Sequence, residues 1–112
     1  MAVPGHLWGI MENKQGLEIT TFKLKGCTCK EFITANADID EWLKTQPGFQ
    51  SRTIVEQLNG TIVDMLLWDS VAAGTNAMQR IMTEMGHSAV HNMIDQRTVS
   101  WSCRPVIHQV CL

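Results

Sequence analysis

Tyrosine is absent from this sequence, and so are the features that mark several common classes of protein. The 9 Lys and Arg residues are scattered along the 112 positions, whereas nucleic-acid binding requires a basic stripe. No apolar run approaches the roughly 18 residues of a membrane span. Residues 1–16 lack the basic start and the continuous apolar stretch of a signal peptide. These absences predict a cytoplasmic protein that binds neither nucleic acid nor membranes.

The cysteines do not follow the spacing of a zinc site or of a redox pair. Cys27 and Cys29 are separated by a single residue, and Cys103 and Cys111 lie far away in the sequence. In a cytosol such thiols stay reduced and behave as small, partly buried side chains. A metal site built from Cys27, Cys29, one further cysteine and His108 is the alternative. We therefore predict no bound metal ion.

The residues that are present alternate between strand-like and helix-like segments. An apolar fraction of 45% with 18% charged residues is typical of one globular domain and excludes a disordered chain. Residues 17–25 are rich in β-branched and aromatic side chains between two glycines, which predicts a strand. Residues 30–46 carry apolar side chains at helical spacing and end at Pro47-Gly48, which predicts one helix.

A β-hairpin is the clearest local prediction. Residues 49–58 and 61–69 are strand-like, and the Asn59-Gly60 dipeptide between them favours a two-residue type I′ turn. With that turn, Arg52 faces Leu67 across the hairpin. Arg52 and Asp64 are then expected on opposite faces of the sheet.

The second half of the chain repeats the helix and strand. Asp69-Ser70 can cap a helix that runs to about Met85, and a short helical turn follows to Met93. Residues 97–103 predict a final strand. The order strand, helix, strand, strand, helix, strand predicts an α+β, ferredoxin-like βαββαβ fold with an antiparallel sheet and helices on one face.

The third predicted strand is apolar on both of its faces. One face carries Ile62, Leu66 and Trp68, and the other carries Val63, Met65 and Leu67. Since the helices can cover one face only, a second copy of the chain is the simplest cover for the other, which predicts a homodimer through the sheet faces. We expect an N-terminal extension at 1–16, the domain at 17–104, and a tail at 105–112 that forms an edge or swapped strand.

Three short motifs resemble a known group of proteins. Residues 47–52 (PGFQSR), the Asn59-Gly60 turn and residues 67–70 (LWDS) are similar to the dimeric α+β barrel superfamily, and within it to antibiotic biosynthesis monooxygenase-like domains. The resemblance spans about residues 17–101. It implies a sheet-to-sheet dimer with a pocket between the sheet and the helices of each subunit. The superfamily includes cofactor-free quinol and polyketide oxygenases, haem-degrading enzymes, isomerases and proteins without known activity.

The resemblance also implies a type of chemistry. In the cofactor-free oxygenases, an electron-rich phenol or quinol is bound as its anion and reacts directly with oxygen. This reaction needs a base to take the phenolic proton and fixed donors to hold the oxyanion. We therefore predict a pocket for a small apolar or aromatic ligand, and the resemblance implies cofactor-independent monooxygenase activity. The alternative is a protein that binds such a ligand without transforming it.

Two residues of the hairpin are candidates for the pocket. Trp68 lies where the family pattern has an aromatic residue beside the pocket, so its indole could stack on an aromatic ligand, although plain packing in the core is the favoured interpretation. Arg52 could anchor an oxyanion or a carboxylate. The alternative for Arg52 is an ion pair with Glu56 on its own face.

His87 and His91 follow the second predicted helix and would share a face if that segment is helical. Either imidazole could act as a base or a proton donor. The haem-degrading relatives place a haem ligand in this stretch, so haem is a further alternative. The tryptophan and the asparagine that accompany their histidine have no counterpart here, which argues against it, and we predict no cofactor.

Other candidates are apolar. The flexible methionines of the second helix suit an adaptable cavity, and without tyrosine any proton transfer must use His, Asp, Arg or water. The predicted catalytic residues are His87, His91 and Arg52, and the predicted ligand-binding residues are Trp68, Met78, Met82 and Trp42.

Overall fold

The computed structural model describes residues 14–112, so most of the predicted N-terminal extension lies outside the described residues. The elements in chain order are β1 (Gly16–Leu24), α1 (Cys29–Ala35), α2 (Ala37–Lys44), β2 (Phe49–Glu56), β3 (Ile62–Trp68), α3 (Val71–Met85), a 3-10 helix (Ala89–Met93) and β4 (Ile94–Pro105). The strands form one sheet in the order β2-β3-β1-β4, and every neighbouring pair is antiparallel. The predicted ferredoxin-like fold is confirmed.

The region predicted as one helix is divided into α1 and α2 at Asn36. The backbone N–H of Asn36 donates to the carbonyls of Phe32 and Ile33, and its own carbonyl accepts from the N–H of Asp40. Its side-chain Nδ2 also donates to the Phe32 carbonyl at 2.8 Å. Asparagine side chains compete in this way for backbone groups and so favour helix ends over helix interiors. The prediction of one continuous helix over residues 30–46 was wrong.

The hairpin between β2 and β3 has a longer loop than predicted. The carbonyl of Gln57 accepts from the N–H of Gly60 at 2.9 Å, and the N–H of Gln57 donates to the carbonyl of Thr61 at 2.8 Å. Gly60 has φ of 84°, whereas Asn59 does not have positive φ as a type I′ turn requires. The loop therefore contains the three residues 58–60 rather than two.

The extra loop residue shifts the pairing of the two strands by one position. Arg52 lies opposite Leu66, not Leu67, and Ile54 lies opposite Asp64. Because side chains alternate between faces, a shift of one residue moves a side chain to the other face of the sheet. The prediction that Arg52 and Asp64 lie on opposite faces was wrong, and the two side chains meet on the inner face.

The helices cover the inner face of the sheet. On β3 the inward positions are all buried, and they are Ile62, Asp64, Leu66 and Trp68. Full burial of a large apolar side chain stabilises the fold by about 1.5–3 kcal/mol, so this row is a main part of the core. The outward positions Val63, Met65 and Leu67 are only half-buried within the single chain. The two-sided apolar character predicted for this strand is confirmed.

The caps of α3 follow the sequence prediction. Ser70 is the N-cap residue, and its Oγ accepts from the N–H of Ala73 at 3.1 Å. The helix ends at Met85, and the short helical turn predicted to reach Met93 is the 3-10 helix. Together these elements bring residues 85–94 back over the inner face, where they close one end of the site described below.

The tail after β4 has no regular secondary structure. The N–H of Val106 donates to the carbonyl of Gln15 at 2.8 Å. Beyond that bond the tail is exposed, and its apolar side chains Ile107 and Val110 are 74% and 82% exposed. The edge or swapped strand expected here stays a prediction.

Within residues 14–112, no helix combines the length and the apolar character needed to cross a membrane.

Candidate functional site

A cavity of about 390 Å³ lies between the inner face of the sheet and the helices. This volume is in the range of about 300–1,000 Å³ that is usual for sites that bind small molecules. Most of the wall is apolar, with Phe22, Phe32, Ile39, Leu43, Leu66, Met78, Ile81, Met82, Val90, Ile94 and Val99. The other lining residues are Glu18, Thr20, Asn36, Arg52, Asp64, His91, Gln96 and Trp101.

Glu18 is a buried carboxyl group held by two tryptophans. The alternation of β1 turns Glu18 inward together with Phe22. Trp68 Nε1 donates to Glu18 Oε1 at 2.8 Å, and Trp101 Nε1 donates to Glu18 Oε2 at 2.7 Å. Burial raises the pKa of Glu18 more than these two hydrogen bonds lower it. Glu18 is therefore an acid–base group suited to a pH nearer neutral than an exposed carboxyl.

Arg52 is the centre of a second polar cluster. Its Nε and Nη2 donate to the two carboxylate oxygens of Asp64 at 3.1 and 2.7 Å, a bidentate ion pair. Its Nη1 donates to Asp40 on α2 at 2.8 Å. Burial acts to lower the pKa of Arg52, but the hydrogen bonds to Asp64 and Asp40 outweigh it and hold that pKa above the ordinary value. The predicted alternative, a pair with Glu56, is not formed.

His91 lies on the 3-10 helix at the wall of the cavity. Its Nε2 is 2.8 Å from the carbonyl oxygen of Met85. A carbonyl can only accept, so Nε2 carries a proton, and in the neutral ring Nδ1 is left as an acceptor. His91 is half-buried. The ring is thus oriented by the backbone and can offer one acceptor to a ligand.

The predicted site residues are divided between the cavity and its surroundings. Arg52, His91, Met78 and Met82 line the cavity, and the two methionines are 39% and 61% exposed, which places them at its mouth. His87 is exposed after the end of α3 and is not a lining residue.

The two predicted tryptophans also lie outside the lining. Trp68 is 1% exposed and contacts the site through its hydrogen bond to Glu18. Trp42 Nε1 donates to Glu84 Oε1 at 3.0 Å, which links α2 to α3.

Sequence reasoning missed Glu18, Trp101 and Asn36. For Glu18 a signal was present, because in a strand over residues 17–25 it shares the inward face with the apolar Phe22. An acidic residue at an inward strand position is costly unless it has partners, so it points to a site. Trp101 offered no comparable signal. Its partner is 83 residues away in the chain, and only the pairing of β1 with β4 brings them together.

Haem was an alternative ligand for the histidines. Haem iron binds an imidazole nitrogen. Nε2 of His91 is engaged by the Met85 carbonyl, and His87 does not line the cavity. Nδ1 of His91 is the imidazole nitrogen that stays without a hydrogen bond to the described residues at this wall, so haem is left as the less favoured alternative. Within the described chain, no three His, Cys, Asp or Glu side chains are grouped so that they could hold a metal ion.

The comparisons with known proteins support the fold. No protein-family model and no curated protein matches the chain. SnoaB, a cofactor-independent oxygenase from Streptomyces nogalater, superposes with a TM-score of 0.69 at 16% identity, covering 87% of this chain and 97% of SnoaB. A monooxygenase from the gene ActVA-Orf6 of Streptomyces coelicolor, in complex with the ligand nanaomycin D, gives 0.68 at 18% identity, covering 89% and 94%.

A third match is a dimeric ferredoxin-like protein from an uncultured marine organism. Its TM-score is 0.67 at 12% identity, covering 91% of this chain and 96% of that protein. The TM-scores establish a common fold, and at identities this low the likeness extends to the fold alone. The predicted resemblance to antibiotic biosynthesis monooxygenase-like proteins is thus confirmed as a likeness of structure.

Replacing Glu18 with Gln should remove a pH-dependent part of the stability. Because burial raises the pKa of Glu18 in the folded state, its contribution is fully present below the unfolded pKa and is lost as the pH rises through the folded pKa. Denaturant unfolding of the wild type and of Glu18→Gln between about pH 4 and 8 measures this difference. The free energy of unfolding of the wild type should fall with pH relative to the variant.

The matched control is Glu56→Gln, since Glu56 is exposed on β2. Its unfolding curve should follow the wild type across the same pH range. A difference between wild type and Glu18→Gln that stays constant with pH would contradict the assignment.

Breaking the buried ion pair on one side should cost more than removing it altogether. The side chains of Arg52 and Asp64 are each 11% exposed. Arg52→Met leaves Asp64 buried without its partner and should lower the free energy of unfolding by about 3–5 kcal/mol. Adding Asp64→Leu should restore most of this loss, as measured by urea denaturation. Losses that simply add in the double variant would show that the two groups do not interact.

Proposed function

We propose that this protein is a homodimeric, cofactor-independent monooxygenase that oxidises a hydroxylated aromatic molecule in the cavity above the sheet. The observation that carries the proposal is the Glu18 carboxyl, buried in an apolar cavity and held by the indoles of Trp68 and Trp101. A base with a raised pKa in such a cavity is suited to accept a proton from a phenol.

The reaction begins with transfer of the phenolic proton to a Glu18 oxygen. The resulting anion is electron-rich and passes electrons to oxygen from its own ring. A phenol with a hydrogen para to its hydroxyl reacts with one O₂ to give a para-quinone and one water. One oxygen atom enters the product and the other leaves as water, so the substrate itself is the reductant.

The protein stabilises the anion through the same group that forms it. Once protonated, Glu18 can donate its O–H to the new oxyanion, while the two indoles keep its carboxyl in place. Preorganised donors of this kind are a main source of catalysis in sites that exclude water.

His91 is proposed as a second hydrogen-bond acceptor for the substrate, with its ring oriented by the Met85 carbonyl. Arg52 is proposed to be a positioning residue, because its nitrogens hold the carboxylates of Asp64 and Asp40 in place.

Two matched structures support this class of chemistry. SnoaB is described as a cofactor-independent oxygenase, and the protein from ActVA-Orf6 is a monooxygenase seen with nanaomycin D. A protein that binds a similar ligand without transforming it remains the alternative, and turnover decides between them.

Oxygen consumption with a panel of naphthols and naphthalenediols tests the activity. The wild type should consume oxygen and form the corresponding quinone without an added cofactor. Glu18→Gln should lower kcat by a factor of about 10² to 10⁴, which is the usual contribution of a positioned base. Glu56→Gln, the exposed counterpart, should leave the rate unchanged.

Two results would contradict this assignment. Ligand binding with no oxygen uptake over the whole panel would favour the non-catalytic alternative. Full activity of Glu18→Gln together with loss of activity in His91→Ala would make His91 the base instead.

The proposed dimer rests on the outer face of the sheet. Val63, Met65 and Leu67 form a half-buried apolar row there, and the helices lie on the other side. Leu17 and Val106 line a shallow depression together with Met65 and Leu67, so the apolar surface continues onto β1 and the tail. A second copy applied through a two-fold axis would cover this row in both chains. One matched structure is named as a dimeric ferredoxin-like protein.

Light scattering of the purified protein at micromolar concentration should report a dimer. Met65→Lys should shift the mass to that of a monomer, because it would bury an ammonium group in the interface. Ala72→Lys adds the same charge on the exposed side of α3 and should remain dimeric. A wild type that is monomeric would remove the sheet-to-sheet contact from the proposal.

A further inference from the structure

Asn36 is a buried polar residue with one unused acceptor. It is 1% exposed and lines the cavity. Its Nδ2 donates to the Phe32 carbonyl, which fixes the orientation of the amide. Its Oδ1 accepts no hydrogen bond from any residue that the structure describes. Buried side-chain oxygens in folded proteins nearly always have a hydrogen-bond partner. The unpaired Oδ1 therefore indicates a donor that is not part of the chain.

The guanidinium of Arg52, the main cation of the cavity, is already paired with carboxylates of the protein. Each nitrogen of the Arg52 guanidinium donates to a carboxylate, with Nε and Nη2 on Asp64 and Nη1 on Asp40. Two carboxylates therefore surround one positive charge. With Glu18 close enough to Asp64 for their charges to repel, the wall of the cavity does not attract an anion.

The neutral donors also have partners within the protein, and what is left is one further N–H on Gln96 Nε2 and one on each Nη of Arg52. Trp101 Nε1 donates to Glu18, and Gln96 Nε2 donates to the carbonyl of His91 at 3.0 Å. Among the side chains that line the cavity, the Thr20 hydroxyl can either donate or accept a hydrogen bond. Most of the remaining capacity is on the acceptor side, at the Asn36 Oδ1, the Glu18 carboxyl and Nδ1 of His91.

We propose that Asn36 is a specificity-determining residue, whose Oδ1 accepts a hydrogen bond from a hydroxyl or N–H group of the bound ligand. The cavity then takes neutral aromatic molecules with at least two donor groups, one for Glu18 and one for Asn36. It discriminates against aromatic carboxylates of equal size. This inference rests on the proposed function in that it takes the same cavity as the binding site, but it does not require turnover.

Calorimetric titration of the wild-type protein with three ligands of one size tests the inference. The ligands are a naphthalenediol, its dimethyl ether and a naphthalene carboxylate. The diol should bind at least about tenfold more tightly than the ether, because only the diol can donate to buried acceptors. The carboxylate should bind more weakly than the diol, since the wall offers it no free cation.

The role of Asn36 is measured by repeating the titration with Asn36→Leu, which removes the acceptor and keeps the size. The preference for the diol over the ether should fall by about five- to tenfold in this variant. Asn76→Leu, on the exposed surface of α3 and outside the cavity, should retain the full preference.

Equal binding of the diol and the ether by the wild type would overturn the inference, as expected if water alone satisfies Asn36. An unchanged preference in Asn36→Leu would overturn it too. If Asn36→Leu does not fold, titration of the wild type with the monomethyl ether of the diol, which keeps one donor for Glu18, decides the matter, and binding as tight as that of the diol would overturn the inference.

Oxygen uptake separates this inference from the proposed function. A preference for the diol without oxygen consumption would support the role of Asn36 and contradict the monooxygenase. Oxygen consumption with a KM that is the same in the wild type and in Asn36→Leu would support the enzyme and contradict the role of Asn36.

Discussion

The hydrogen bonds between one carboxyl group and two indoles hold together the part of the fold that makes the site. Glu18 comes from β1, Trp68 from the end of β3 and Trp101 from β4, so the cluster spans three adjacent strands. A carboxyl buried without partners would be expensive, and here each oxygen accepts one hydrogen bond. The register of both strand pairs must be correct for this arrangement to form. The stability of the sheet and the chemistry proposed for the cavity therefore depend on the same side chain.

The Arg52 cluster gives the cavity its second fixed wall. Its ion pair with Asp64 joins β2 to β3, and its bond to Asp40 joins the sheet to α2. Because two carboxylates surround its single positive charge, Arg52 holds these acceptors in place. The cavity that results is apolar over most of its surface, and its polar groups are those on which the proposed preference for a neutral ligand rests. This electrostatic character follows from the pairing of residues and not from the net charge of −2.

The order of the elements could be predicted from the sequence because turn residues separate them clearly. Pro47-Gly48 follows closely on the end of α2 at Lys44, and Ser70 caps α3 as expected. The register of the hairpin could not be predicted in the same way, since Asn59-Gly60 suits both a two-residue and a three-residue loop. That single residue decides whether Arg52 faces Asp64. The break at Asn36 was missed because an apolar stripe at helical spacing continues through it.

The candidate site was predictable only in part. Arg52, His91, Met78 and Met82 reach the cavity from elements whose type was correct. Glu18 had a signal in the alternation of β1, but Trp101 and Asn36 acquire their positions from contacts between distant parts of the chain. Their partners are set by tertiary packing, which local patterns do not encode.

The central claim is that Glu18 is a buried acid–base group bound by both indoles. A ¹³C NMR titration of the glutamate side-chain carboxyls, together with the indole N–H resonances of Trp68 and Trp101, measures this directly. The account predicts that Glu18 titrates above about 4.3, the usual value for glutamate, and that both indole resonances shift with the same midpoint. A Glu18 carboxyl that titrates at the usual value, or indole resonances that do not respond to it, would contradict the account.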